Sequence, residues 1–149
     1  MLQWDWLVDV VGVALVLALL LPIGLILRRR WISRRGTAFE LSVNTRSTGT
    51  TPRGWTLGLG RYQADQLDWY RFFSLSWRPK RRFHRGDMEV IERRTPEGSE
   101  AYALYSGHIV VEFQTGRGPV QLAMSEPSLT ALLAWLESAP PGRQSRRVV

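Results

Sequence analysis

The segment Arg78-Pro79-Lys80-Arg81-Arg82-Phe83-His84-Arg85 places five cations in eight residues, with Trp77 and Phe83 beside them. Cations at that density attract anions, and aromatic rings among them settle at the boundary between water and lipid. The chemistry this suits is contact with an anionic bilayer surface, where each cation contributes on the order of 1 kcal/mol. The competing reading is a solvated basic loop that only extends the charge bias of the chain. Groups for covalent chemistry are sparse. His84 and His108 are the only histidines, and neither has a partner at metal-ligand spacing. The absence of Cys excludes disulfide frameworks and thiolate zinc sites. Gly58-Leu59-Gly60 begins like a dinucleotide fingerprint, but no third Gly follows and its flanks read as strands, so it reads as strand packing. Asp65 and Asp68, and Glu89 and Glu92, read as partners of Arg rather than as an acid–base pair, and Ser106 and Ser125 lack any nucleophile context. The expectation is a non-enzymatic protein with no catalytic, cofactor-binding or metal-ligating residues.

What brings the basic segment to a surface is the N-terminus. Val10 to Leu27 is an apolar run of eighteen residues, thirteen of them Leu, Ile or Val. At about 1.5 Å per residue it just covers a hydrocarbon core of about 30 Å. Trp4 and Trp6 precede it and Trp31 follows, as in the aromatic belts of membrane helices. A cleaved signal peptide would need a basic n-region, yet no Lys or Arg occurs before position 28, and Asp5 and Asp9 do. Arg28, Arg29, Arg30, Arg34 and Arg35 crowd the far end. Because positive flanks stay inside, the expected topology is a single pass in the cell inner membrane, with the N-terminus outside and the remainder cytoplasmic. These five arginines join Arg78, Lys80, Arg81, Arg82 and Arg85 as candidate contacts for the anionic surface. The formal charge is +7, and setting aside Asp5 and Asp9 leaves 20 basic against 11 acidic residues, or +9, on the inner side.

After a basic linker over residues 28–36, the pattern changes to period two. Alternation predicts strands around Phe39–Val43, Trp55–Gly60, Leu67–Phe73, Met88–Ile91, Tyr102–Tyr105, Ile109–Phe113 and Val120–Met124. Leu129, Leu132, Leu133 and Leu136 then recur at helical spacing, with Ser125 or Ser128 as the cap and Pro140-Pro141-Gly142 as the stop. Residues 37–139 thus form one domain, and 140–149 a basic tail without hydrophobic pattern. Seven strands in meander order and a final helix resemble pleckstrin-homology-like domains. The resemblance implies a mainly β fold: a seven-stranded barrel capped by one C-terminal α-helix, here preceded by one transmembrane helix. The plain alternative is a smaller barrel or an open sheet with the helix on one face. Pleckstrin-homology domains that bind phosphoinositides use a basic loop between the first two strands, and here that loop offers Arg46 and Arg53 alone.

A second resemblance spans nearly the whole chain. Gly54-Trp55, Gly60-Arg61-Tyr62, Trp69-Tyr70-Arg71, Ser74-Leu75, Arg81-Arg82, Glu89-Val90-Ile91, Arg93-Arg94, Pro96, Ile109-Val110-Val111-Glu112, Leu129-Thr130-Ala131 and Trp135-Leu136-Glu137-Ser138 resemble a family of actinobacterial single-pass membrane proteins of unknown function. Members are often encoded beside the genes of the proton-translocating ATP synthase. That implies a membrane-protein partner, ATP synthase related, or an assembly role. The expected function is a membrane-anchored interaction module docking such a partner at the inner leaflet. Small residues Ala14 and Ala18, one helical turn apart, would let another helix approach. The alternative is binding of anionic phospholipid headgroups through the Arg78–Arg85 loop. Nucleic-acid binding ranks third, since basic residues with interleaved aromatics suit it but no recognition motif accompanies them.

Overall fold

The structure, a computed structural model, describes residues 2–34, 38–46 and 52–138. The tail 140–149 and Arg35 lie outside the described residues. Helix α1 (Leu2–Arg34) runs through Pro22 and continues past the apolar run, so residues 28–34 are helical. Its stretch Trp6–Trp31, 26 residues, is long and apolar enough to cross a membrane.

The remainder is mostly β. Strands β1 (Ala38–Glu40) and β2 (Ser42–Asn44) are one extended run broken only at Leu41, and β3 (Trp55–Thr56) and β4 (Gly58–Gln63) are another broken at Leu57. There follow β5 (Gln66–Arg71), β6 (Arg81–His84), β7 (Glu89–Arg94), the short helix α2 (Glu100–Ala103), β8 (His108–Thr115), β9 (Gly118–Ser125) and helix α3 (Glu126–Glu137). They form two antiparallel sheets, ordered β1-β4-β5-β6 and β3-β2-β9-β8-β7. The two broken runs bend from one sheet into the other. At the bend the Leu41 N–H donates to the Gly58 carbonyl (3.0 Å), holding the corner together.

The expected closed barrel is therefore corrected to two sheets. Strands β6 and β7 are both sheet edges. The physical reason lies in β7, where four of six residues, Glu89, Glu92, Arg93 and Arg94, are charged, so closing a seam there would desolvate them. Two further expectations change. The basic segment expected as a loop supplies β6, paired to β5 with Phe83 opposite Leu67. Tyr102–Tyr105, expected as a strand, is replaced by α2 at Glu100–Ala103.

One apolar core lies between the sheets, built from Leu41, Val43, Leu67, Trp69, Phe83, Met88, Val111, Phe113, Val120, Leu122 and Met124. Leu129 and Leu132 of α3 complete it, and Leu133 and Leu136 pack at its margin, which is the stripe the sequence predicts. Ser125 caps α3, its hydroxyl accepting from the Ser128 N–H (3.4 Å). The glycines of β4 are there for close approach. A Cβ on Gly60 would meet the Phe39 ring at 2.8 Å and Leu41 at 2.9 Å. Gly60→Ala should therefore cost about 1–3 kcal/mol of unfolding free energy by overpacking, measured by urea denaturation followed through tryptophan emission.

Candidate functional site

The β5–β6 connection brings the basic segment to the mouth of a cleft between the sheet edges. Strand β6 alternates: Phe83 enters the core, while Arg82 and His84 face outward and Arg81 is half-buried at the edge. Opposite them stand the β8–β9 turn, with Gly116, Arg117 and Gly118, and the end of β2, with Asn44, Thr45 and Arg46. The cleft has a volume of about 1030 Å³. Its floor carries buried Asn44 and Gln121, where the Asn44 amide donates to the Gln121 carbonyl oxygen (3.1 Å), beside apolar Phe83, Met88 and Val120. Among the described residues, six cations line it, Arg46, Arg78, Lys80, Arg81, Arg82 and Arg117, against the single carboxylate of Asp87. Like charges held around a concavity focus a positive potential into it. The arrangement can meet a phosphate-bearing group with cations from several sides, above a floor whose amides are tied to one another and to Glu112.

The structure separates the arginines that sequence reasoning had grouped. Arg78, Lys80, Arg81 and Arg82 line the cleft. Arg82 also reaches Asp68 at 3.4 Å, a carboxylate that is itself buried. Arg85 turns away from the cleft: it pairs with Asp65, donates to the Trp135 carbonyl (3.3 Å) and the Ser138 hydroxyl (3.2 Å), and stacks over the Trp135 ring. Its work is to fasten the end of α3 to the β4–β5 hairpin. Arg46 and Arg117, 71 positions apart in the chain with no pattern linking them, join the cleft because β2 and the β8–β9 turn converge there. Only the pairing of β2 with β9 could have revealed that.

The four arginines of α1 differ as well. Arg28 is only 5% exposed. Its guanidinium donates from Nε (3.0 Å) and Nη2 (2.7 Å) to the Ser76 carbonyl, and from Nη1 to the carbonyls of Arg71 (3.3 Å) and Phe72 (3.5 Å). Arg28 therefore faces the β5–β6 connection. Arg29 lies over the Phe72 ring, 5.1 Å from its centre, and Trp31 meets Trp77 edge-on at 5.0 Å. Arg30 and Arg34 are exposed.

Beside this junction, the outer face of the first sheet holds a buried polar row. Arg61 donates to the Tyr70 hydroxyl (2.9 Å), which in turn lies 3.5 Å from the Asp68 carboxylate. Burial holds the Tyr70 phenol above its ordinary pKa, an effect that Arg61 opposes and Asp68 reinforces, so it stays a neutral donor. His84 is exposed and His108 buried on β8, where burial lowers its pKa and Glu40, 4.0 Å away, opposes the shift. Among the described residues, no group of three or more His, Asp or Glu side chains gathers as a metal site would require.

A β-rich domain with a basic cleft, joined to a helix apolar enough for a membrane, is the class of protein these elements define. Residues 15–142 match the family described as "Protein of unknown function (DUF2550)", and the chain belongs to that family. An uncharacterized protein of Mycobacterium tuberculosis is 34% identical over 139 residues, covering 91% of this chain and 93% of the relative. An uncharacterized protein of Mycobacterium leprae is 33% identical over 125 residues, covering 81% and 84%.

Proposed function

We propose that the chain is a single-pass inner-membrane protein whose cytoplasmic, non-catalytic β domain binds anionic phospholipid headgroups in the cleft between β6 and the β8–β9 turn. The observation that carries this reading is the convergence of six cations on one concavity with a single carboxylate. At roughly 1 kcal/mol per cation near anionic lipid, even part of that set gives useful affinity. The arginines after Leu27 favour the inner side for everything that follows α1. The two bent strand runs and the closing helix support a pleckstrin-homology-like organisation of the domain, in which a cleft at one end is a natural place for a headgroup. The contact set is revised from the sequence: Arg46 and Arg117 enter, and Arg28 and Arg85 leave because the fold already employs them.

The test uses the full chain in phosphatidylcholine nanodiscs containing a fluorescent phosphatidylglycerol, with a donor dye at Gln114→Cys. Energy transfer should exceed that to a phosphatidylcholine analogue. The combined variant Arg46→Ser, Arg81→Ser, Arg117→Ser should lose about 3 kcal/mol, roughly 100-fold in the apparent preference for the anionic lipid. Equal transfer to both lipids in the parent protein would end this reading.

Docking of a membrane-protein partner, ATP synthase related or otherwise, is a second reading. It is favoured by α1 itself, which leaves Ala14, Ala18 and the apolar side chains around them uncovered. Detergent extraction and affinity purification from native membranes should then recover one reproducible membrane complex.

A further inference from the structure

The β5–β6 connection exposes three large apolar side chains in alternation: Phe73 (76% exposed), Leu75 (60%) and Trp77 (54%). Solvent-exposed apolar residues in such a cluster need a partner, and their position relative to α1 identifies it. The connection is fixed to the helix by the bonds from Arg28 to the carbonyls of Arg71, Phe72 and Ser76. Phe72 and Phe73 share a crevice of about 130 Å³ with Leu25 and Ile26, which lie inside the apolar run ending at Leu27. Phe73 thus stands level with helix residues two to three positions before Arg28, about 3–5 Å below it along the axis at 1.5 Å per residue.

We propose that the Phe73–Trp77 loop is a second membrane contact, inserted into the same leaflet that α1 leaves, with lipid acyl chains as its partner. The depth reaches the shallow end of what amphipathic interfacial elements attain, about 5–10 Å into the headgroup and acyl boundary. The sequence of the loop suits the position. Ser74 and Ser76 alternate with the apolar side chains, Trp77 stands at the interface against Trp31, and Arg78 and Lys80 follow where headgroups would lie. The crevice beside Ile26 takes the first methylenes of an acyl chain. The loop and the helix end then form two points of attachment, which fix the tilt of the domain over the bilayer and aim the cleft.

This inference rests on α1 crossing the bilayer but not on headgroup binding in the cleft, and one experiment keeps these apart. The chain has no Cys, so single substitutions Phe73→Cys, Leu75→Cys, Leu21→Cys and Tyr102→Cys each take one environment-sensitive dye. The side chains at 73 and 75 are exposed and the Arg28 bonds run to backbone carbonyls, so these substitutions leave the junction intact. The full chain is reconstituted into phosphatidylcholine–phosphatidylglycerol vesicles carrying a nitroxide on the upper acyl chain. Dyes at 73 and 75 should be blue-shifted and lose emission to the nitroxide nearly as strongly as at 21, while the dye at 102, on residue Tyr102 of α2 that is 92% exposed, keeps its emission. Quenching at 21 with emission at 73 and 75 matching that at 102 would overturn the loop contact alone. A blue shift at 73 and 75 without quenching would mean that protein covers the loop, and would overturn it too. No quenching at 21 would remove both the span and the inference built on it.

Discussion

Arg94→Met should cost the domain about 3–5 kcal/mol at neutral pH, the penalty for stranding a buried charge. Glu100 is fully buried on α2, and its carboxylate accepts from both Arg94 guanidinium nitrogens (2.5 and 2.9 Å) and from the Trp55 indole N–H (3.0 Å). Burial alone would raise the Glu100 pKa, but the hydrogen bonds from Arg94 and Trp55 override it and hold the group below its ordinary value of 4.5. The bond also raises the pKa of Arg94, against its desolvation. In the parent protein the pair therefore stabilises the fold above pH 4.5, and that contribution is lost as pH falls through the depressed folded value. Without Arg94 burial loses its main opponent and only the Trp55 and Glu97 bonds still lower the Glu100 pKa, so the folded pKa rises and the stability gained above pH 4.5 shrinks. Denaturant titrations at pH 4 and 7, followed by tryptophan emission, read both slopes. Adding Glu100→Gln to Arg94→Met should restore most of the loss, since no buried charge is left unpaired. A loss under 1 kcal/mol at pH 7, or an unchanged pH slope, would contradict the geometry.

The same pair shows where the sequence stops being readable. Glu100 sits in a stretch, Glu100-Ala101-Tyr102-Ala103-Leu104-Tyr105, whose alternation of small and aromatic residues looks like a strand, yet it forms one turn of helix because Arg94 and Trp55 hold its first residue. A tertiary contact outweighed a weak local pattern. Strand β6 was hidden for the opposite reason: in Arg81-Arg82-Phe83-His84 only Phe83 faces the core, so four residues carry one apolar signal among three cationic or titratable neighbours. The apolar run of α1, the alternation of β8 and β9, and the Leu stripe of α3 each repeat their period over enough residues to be read directly. Charge density was legible, but its division of labour was not. Whether an arginine faces a cleft, as Arg81 does, or binds carbonyls, as Arg28 does, depends on segments tens of residues away.

Arg28→Ala should uncouple the helix from the domain without unfolding the domain. The guanidinium contributes four bonds to three carbonyls of the β5–β6 connection and little to the core between the sheets. Hydrogen bonds from a charged donor contribute about 1.5–3 kcal/mol each, less where water or headgroups replace them. A net loss of roughly 3 kcal/mol in docking is the expected scale, and it shifts a docked-to-undocked ratio about 100-fold. What remains at the junction includes Trp31 against Trp77 and Phe72 beneath Arg29, ring contacts of about 1 kcal/mol each, and the packing of Trp31 and Phe72 on Leu59 and Tyr70. Spin labels at Leu21→Cys and Tyr102→Cys in the reconstituted full chain should give one narrow distance distribution in the parent and a broad one in the variant. The denaturant midpoint of the β domain should move little. Arg28→Lys should restore the docking only in part, because a single ammonium cannot present the planar fork that spans Ser76, Arg71 and Phe72. A variant distribution as narrow as the parent's would assign the rigid junction to the aromatic contacts instead. A broad one would place in this single side chain the coupling that sets how the cleft and the Phe73–Trp77 loop meet the bilayer.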